Sequence, residues 1–263
     1  MSTVRVELEQ GVVIGRAGGR DLHADVFRAP GTDAPPPGIL LVHGGAWKVG
    51  DPTQLRGYGF LVGREGFTCV ATEYRLSGEA AWPAALHDVK TAIRWMRANA
   101  EQLAIDPERI VIFGASSGAH LSLMAAMAAG EFEGDGGHGE VSSAVQGVVS
   151  LYGITRMDDC PKLADAVAAF LAGGGETVVA ESSPALRVRA GLPPMLLFHS
   201  NRDELVPRRQ TFELYEATLV AGNVAELATF DGNPHAFDVD PRLGRMVATM
   251  TASFVRRHVM TQA

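Results

Sequence analysis

The run Arg109-Ile110-Val111-Ile112-Phe113 leads directly into Gly114-Ala115-Ser116-Ser117-Gly118 and then into a stretch of small residues. A strand, a sharp turn and a helix in immediate succession constrain the fold more than any other segment. The turn needs small residues at both ends to relieve crowding, and it exposes the hydroxyl at its apex. Ser116 is in register with both glycines, whereas Ser117 is shifted by one. A helix-capping role would explain a hydroxyl at Ser116, but it gives no reason for Gly114 and Gly118. Such a motif recurs by chance in glycine-rich chains. Its weight here comes from its neighbours in the chain: His43-Gly44-Gly45-Ala46-Trp47 upstream, Asp203 and His235 downstream.

A length of 263 residues suits one large α/β domain, 1–263, with a well-buried core. The net charge of −7, with both signs well mixed, gives no sign of the basic face expected of a nucleic-acid reader. Cys69 and Cys160 are too few for a disulfide framework or a cysteine metal cluster. The opening Met1-Ser2-Thr3-Val4-Arg5-Val6-Glu7 lacks the apolar core of a signal peptide, and no later stretch is long and apolar enough to span a bilayer. The expectation is therefore a cytoplasmic protein with no membrane or nucleic-acid partner, its oligomeric state left open.

Alternation over Val4 to Gln10 and the segment Leu22 to Phe27 predict antiparallel edge strands at the start. Gly38 to Val42 is apolar throughout, as an interior parallel strand requires. The pattern then alternates: strand over Phe67 to Thr72, helix over Ala84 to Asn99, strand over Ile110 to Phe113, helix over Ser117 to Ala129. Asp106-Pro107 is read as a turn into the third of these. Further strands are expected over Gln146 to Leu151, Pro194 to His199 and Val224 to Phe230. Pro207 is placed in the first turn of a helix reaching about Leu219, and Met246, Met250, Phe254 and Val255 mark a closing amphipathic helix. This succession predicts a mostly parallel sheet with helices on both faces and a ligand site at the strands' carboxyl ends. The stretches 130–140 and 152–189 interrupt the rhythm and are read as small excursions above the sheet, the second with a helical piece around Ala164 to Leu171. Glu131, Glu133, Asp135, His138 and Glu140 crowd the first, but their spacing is not that of a calcium loop, so a solvated acidic loop is expected and no metal.

His43, Gly44 and Gly45 follow an apolar strand, which puts unencumbered backbone at its carboxyl end. The N–H groups of Gly44, Gly45 and Ser117 are therefore candidates for an oxyanion hole. His235, after the last strand, is the candidate general base for Ser116, and the order Ser116, Asp203, His235 is one of the known orders of a serine triad. An acid just beyond the strand ending near His199 can orient that base, and Asp203 and Glu204 both qualify. His120, one turn after the nucleophile, reads as a packing or hydrogen-bonding residue. Trp47, Trp82, Tyr152 and Phe237 adjoin expected strand-end loops and are candidate pocket residues, with ordinary packing as the alternative.

Together with Glu73-Tyr74-Arg75-Leu76, the segment Trp82 to Val89, Ile105-Asp106-Pro107-Glu108-Arg109-Ile110 and Gly191-Leu192-Pro193-Pro194, these motifs resemble the α/β-hydrolase superfamily over roughly Gly38 to His258. Within it the chain is similar to carboxylesterases related to hormone-sensitive lipase and to the acetyl-xylan/feruloyl esterase-like group. The resemblance selects Asp203 over Glu204. It implies a cofactor-independent serine carboxylesterase that hydrolyses small to medium esters through an acyl-enzyme. The chain departs from hormone-sensitive-lipase relatives in having Ala115 where they have an acid, and in leaving little room for an N-terminal helical cap. That shorter plan also resembles arylformamidases, so amide hydrolysis is the alternative activity. A non-catalytic small-molecule binding protein on the same fold is the alternative outside enzymes.

Overall fold

The computed structural model describes residues 5–30 and 34–261. Eight strands, β1 (Glu7–Ala17), β2 (Arg20–Arg28), β3 (Pro37–Val42), β4 (Cys69–Thr72), β5 (Asp106–Ala115), β6 (Gly147–Leu151), β7 (Met195–Ser200) and β8 (Ala225–Phe230), form one sheet in the order β1-β2-β4-β3-β5-β6-β7-β8. β1 pairs antiparallel with β2, and β2 with β4; every later pairing is parallel. The helices are α1 (Arg56–Arg64), α2 (Ala84–Ala98), α3 (Ala100–Leu103), α4 (Ser117–Met127), α5 (Ala164–Leu171), α6 (Gly175–Glu181), α7 (Arg209–Val220) and α8 (Pro241–His258). The expected α/β-hydrolase fold, with antiparallel edge strands at the start and a mostly parallel sheet, is thus the observed one.

Side chains of a strand alternate between the two faces, and the core divides accordingly. Leu40, Val42, Ile110 and Ile112 join α2 and α4 in one cluster, while Ile39, Leu41, Val111 and Phe113 join α1 and α8 in the other. Cys69 and Cys160 are free and buried in opposite clusters. The chain leaves β3 to build β4 on one side, then returns through α2 to build β5 on the other. The reversal opens a crevice at the carboxyl ends of β3 and β5, where doubly wound sheets bind ligands.

Several boundaries differ from those expected. Val4 lies outside the described residues. Asp106-Pro107 belongs to β5, where the register jumps from Pro37↔Asp106 to Gly38↔Ile110 and the Asp106 carboxylate accepts the Glu108 N–H at 2.8 Å, so the turn is a kink inside the strand. Pro207 lies two residues before α7, and its carbonyl accepts the Gln210 N–H of the first turn. Met246 is solvent-facing, and the buried stripe of α8 runs instead through Val247, Thr251, Phe254 and Val255. The helix α1 had no counterpart in the sequence pattern, because Gly57, Gly59 and Gly63 lower its intrinsic propensity. Gly59 is needed there: a Cβ on it would lie 2.5 Å from the Phe27 ring.

The acidic stretch 130–140 keeps Glu131, Asp135 and Glu140 exposed, as expected of a solvated loop, yet it is also tied to the fold. Its Glu133 carboxylate receives Lys90 Nζ at 2.9 Å and the Arg94 guanidinium at 2.8 Å, both from the buried face of α2, and the Gly136 carbonyl accepts the Arg16 N–H of β1 at 3.0 Å. Lys90 and Arg94 are 0% and 2% exposed, so their charges require these partners. The stretch is fastened along α2. No single helix among the described residues is long and apolar enough to cross a membrane.

Glu133→Ala leaves the Lys90 ammonium with carbonyl partners alone. We expect a loss of about 2 kcal/mol in urea unfolding at unchanged m-value, the order expected for a buried charge that loses one hydrogen-bond partner. An unchanged midpoint would show that the stretch does not fasten α2.

Candidate active site

The turn that carries Ser116 is as crowded as its glycines suggest. A Cβ on Gly118 would lie 2.1 Å from the Val42 carbonyl oxygen, and one on Gly114 would lie 2.3 Å from the Gly118 carbonyl oxygen. Ser116 itself sits at φ 55°, ψ −119°, a conformation that costs an L-residue about 1–3 kcal/mol and persists only where its surroundings enforce it. Its amide is held by the Leu151 carbonyl at 2.9 Å. The Ser116 hydroxyl makes no capping bond to α4, which removes the capping explanation for this serine. Its Oγ lies instead 3.0 Å from His235 Nε2.

His235 Nδ1 is 2.7 Å from Asp203 Oδ2. A carboxylate only accepts, so Nδ1 carries the proton and Nε2 is left free to accept from Ser116. The Asp203 side chain is itself completely buried, and its Oδ1 accepts the N–H groups of Leu205 and Val206, each at 2.9 Å. A second imidazole, His199, stands on its other side with Nε2 at 3.3 Å from Oδ2. The partners of that Nε2, Asp203 and the Val206 carbonyl at 3.1 Å, are both acceptors, so Nε2 carries the proton and Nδ1 accepts the Thr211 hydroxyl at 2.7 Å. Burial works against the Asp203 charge, but the hydrogen bonds from His199 and His235 and the backbone N–H of Val206 outweigh it and hold the carboxyl well below the usual carboxylate range. Glu204 reaches only the His235 backbone N–H, at 3.3 Å. His199 had a visible signal, a histidine four residues before the acid at a strand end, but nothing in the spacing said that its ring turns towards Asp203.

Gly44 lies against the nucleophile turn: a Cβ there would sit 3.3 Å from the Ser116 Cβ. Gly45 adopts φ 111°, and an added Cβ would meet the Val49 carbonyl oxygen at 1.9 Å. The N–H groups of Gly44 and Gly45 have no acceptor among the described residues, and that of Ser117 belongs to the unpaired first turn of α4. Free donors of this kind beside a serine hydroxyl are what an oxyanion hole consists of in general. His43 holds the loop from below, its ring stacked on Tyr74 with centroids 4.3 Å apart and its Nδ1 2.8 Å from the Gly44 carbonyl. Burial lowers its pKa even though that bond opposes the shift.

A cleft of about 810 Å³ opens over Ser116 and His235, within the range of small-molecule sites. Its walls come chiefly from Leu55 and the following α1 (Tyr58, Leu61), from Asp238 and Val239 before α8, and from Arg245 in the first turns of α8. Of the four aromatic residues expected to line it, Tyr152 does so. The other three require correction. Trp47 is 0% exposed, stacked on Phe170 of α5 at 4.6 Å and donating its Nε1–H to His120 Nδ1 at 3.3 Å; its bulk anchors the glycine loop by burial. Trp82 packs between Phe132 and Phe170 and donates to Glu181 at 3.0 Å, on the other side of the sheet from α1 and α8. Phe237 is 2% exposed, stacked on Phe230 at 4.5 Å within the α1 and α8 core. His120 hydrogen-bonds and packs, as expected: burial pushes it down to about 4, and its Nε2 meets the Ser182 carbonyl at 2.8 Å.

The BD-FAE family model matches residues 24–218. Esterase LipQ of Mycobacterium tuberculosis is 30% identical over 253 residues, covering 90% of this chain, which spans only 60% of that relative's length. Among solved structures, a truncated carbohydrate esterase from gut microbiota superposes with a TM-score of 0.87 at 25% identity, covering 99% of each chain. Esterase 2 of Thermogutta terrifontis, phosphoramylated by tabun, superposes with a TM-score of 0.81 at 26% identity over 97% of this chain and 95% of the other.

Asp203→Asn is expected to lower kcat by up to about 10⁴, since an amide can present the wrong partner to His235 Nδ1, while Glu204→Gln stays within a few-fold of wild type. The reverse order in steady-state kinetics would transfer the orienting role to Glu204. Trp47→Ala should cost about 3–5 kcal/mol of stability and leave the ratio of rates on acetyl and octanoyl esters unchanged; a changed ratio at unchanged melting temperature would return Trp47 to the pocket.

Proposed function

We propose, from the premise that this chain belongs to the BD-FAE family of α/β-hydrolase-fold esterases, that it is a serine carboxylesterase in which Ser116, His235 and Asp203 are the catalytic groups. The observation that carries the reading is the continuous hydrogen-bonded line from Ser116 Oγ through both nitrogens of His235 to Asp203. In this reading Ser116 Oγ attacks the acyl carbon and its proton passes to His235 Nε2. The oxyanion that forms is held by the N–H groups of Gly44, Gly45 and Ser117, each worth roughly 3–4 kcal/mol in a dry site. Collapse of the tetrahedral species breaks the bond to the alcohol, which leaves with the proton from Nε2. Water then gives a proton to Nε2 as it attacks the acyl-enzyme, and a second collapse returns that proton to Ser116 and releases the acid. Asp203 keeps the Nδ1 proton throughout and stabilises the imidazolium. The organophosphate adduct of the Thermogutta esterase supports an activated nucleophile on this scaffold.

The substrate we infer is a small or medium ester with an apolar portion. Leu55 and Leu61 offer it hydrocarbon, while Val49 at 61% and Val239 at 82% exposure leave apolar surface among the residues that line the cleft. Ser116→Ala should abolish both turnover of p-nitrophenyl butyrate and labelling by a fluorophosphonate, with the circular dichroism spectrum intact; retention of either would remove Ser116 from the nucleophile role. Leu61→Trp, which fills the cleft from α1, should depress kcat/KM for octanoyl and aryl esters about tenfold relative to acetyl. A tenfold preference of the wild-type protein for N-formyl aryl amides over its best ester would replace the esterase reading with amide hydrolysis.

A further inference from the structure

The loop that carries His235 is anchored by a group that plays no part in the proton transfers above. Three residues beyond the histidine, the Asp238 carboxylate receives two phenols: Tyr152 Oη donates to Oδ1 at 2.6 Å and Tyr58 Oη donates to Oδ2 at 2.9 Å. Bonds of a hydroxyl to an ionised oxygen are among the stronger hydrogen bonds in proteins, and the shorter of these has their characteristic length. The two donors come from distant parts of the fold. Tyr58 lies in α1 and Tyr152 directly follows β6, so one carboxylate joins the histidine loop to a helix and to the centre of the sheet.

Tyr152 also touches the histidine itself, its ring edge-to-face with the His235 imidazole at 4.5 Å. Its backbone is held at φ 41°, unfavourable for an aromatic residue by roughly 1–2 kcal/mol, and its amide is fixed by the Phe198 carbonyl at 2.7 Å. The strain has a counterpart in the phenol–carboxylate bond and in the ring contact, both of which bear on His235. The opposite side of the histidine loop is held by Glu204 on the His235 N–H and by Ser200 on the Asn233 carbonyl.

We propose that Asp238, clamped between Tyr58 and Tyr152, is a positioning residue that keeps His235 Nε2 within reach of Ser116 Oγ; the inference rests on the reading of His235 as the general base. A misplacement of about 1 Å at a reacting group can cost about 10²-fold in rate, and the clamp acts on orientation without touching the acyl carbon. The variants D238A, D238N, Y58F, Y152F and the double phenylalanine variant, compared on p-nitrophenyl butyrate alongside S116A, test it. Asp238→Ala should lower kcat by about tenfold to a hundredfold with KM within about twofold, and should slow fluorophosphonate labelling in parallel. Asp238→Asn, whose amide can still accept one phenol and donate to the other, should recover most of kcat. Each single phenylalanine variant, with its ring retained, should fall between wild type and D238A, and the double variant should approach D238A. Undiminished kcat in D238A, a rise confined to KM, or losses in D238A and D238N that both follow a falling melting temperature would each overturn the clamp. An active S116A protein would overturn the clamp and the underlying reading together, whereas inactive S116A with undiminished D238A overturns the clamp alone.

Discussion

The site depends on the close approach of Gly118 to the carboxyl end of β3. With no side chain at Gly118, the first turn of α4 lies directly on the Val42 and His43 carbonyls, where a Cβ would come within 2.1 and 2.4 Å. That contact puts the loop after β3 beside the turn after β5, so free N–H groups from two segments far apart in sequence stand around one hydroxyl. A methyl group at this position would have to push the helix off the strand, separating Gly44 from Ser116. The strained backbone of Ser116 is tolerable for the same reason: packing on both sides leaves the turn no relaxed alternative.

Electrostatically the site is built around a buried carboxylate with donors on both of its oxygens. Asp203 accepts from two backbone N–H groups and faces two imidazoles. Each imidazole has its protonation pattern dictated by what surrounds it, since a nitrogen facing only acceptors must carry hydrogen. The charge is therefore kept on Asp203 without exposure to solvent, and His235 is held in the tautomer that leaves Nε2 free.

The aromatic residues divide between the two faces of the sheet in a way that sequence proximity to the motifs does not reveal. Trp47 and Trp82 belong to the cluster on the α2 and α4 side, where with Phe170 they brace the loop after β3 from behind. Tyr58, Tyr152 and Phe237 belong to the α1 and α8 side, where the cleft opens. An aromatic residue near a strand end has two faces to choose from, and the choice follows from backbone direction and the available volume on each side.

The eight strands, the helices α2, α4, α5, α7 and α8, the parallel centre of the sheet, the strand–turn–helix around Ser116 and the chain order Ser116, Asp203, His235 were legible in the amino-acid sequence. Each rests on local rules: apolar runs for interior strands, three-and-four spacing for helices, and glycines where backbones cross. Tertiary structure alone decided the second imidazole on Asp203, the wall that α1 contributes, the fastening of 130–140 along α2 and the meeting of Tyr58 and Tyr152 at Asp238. Those features join residues as far as 180 positions apart, as between Tyr58 and Asp238. Contacts over such separations depend on which sheet face each side chain leaves from and on how closely the helices pack, and neither is encoded in any one window of the chain.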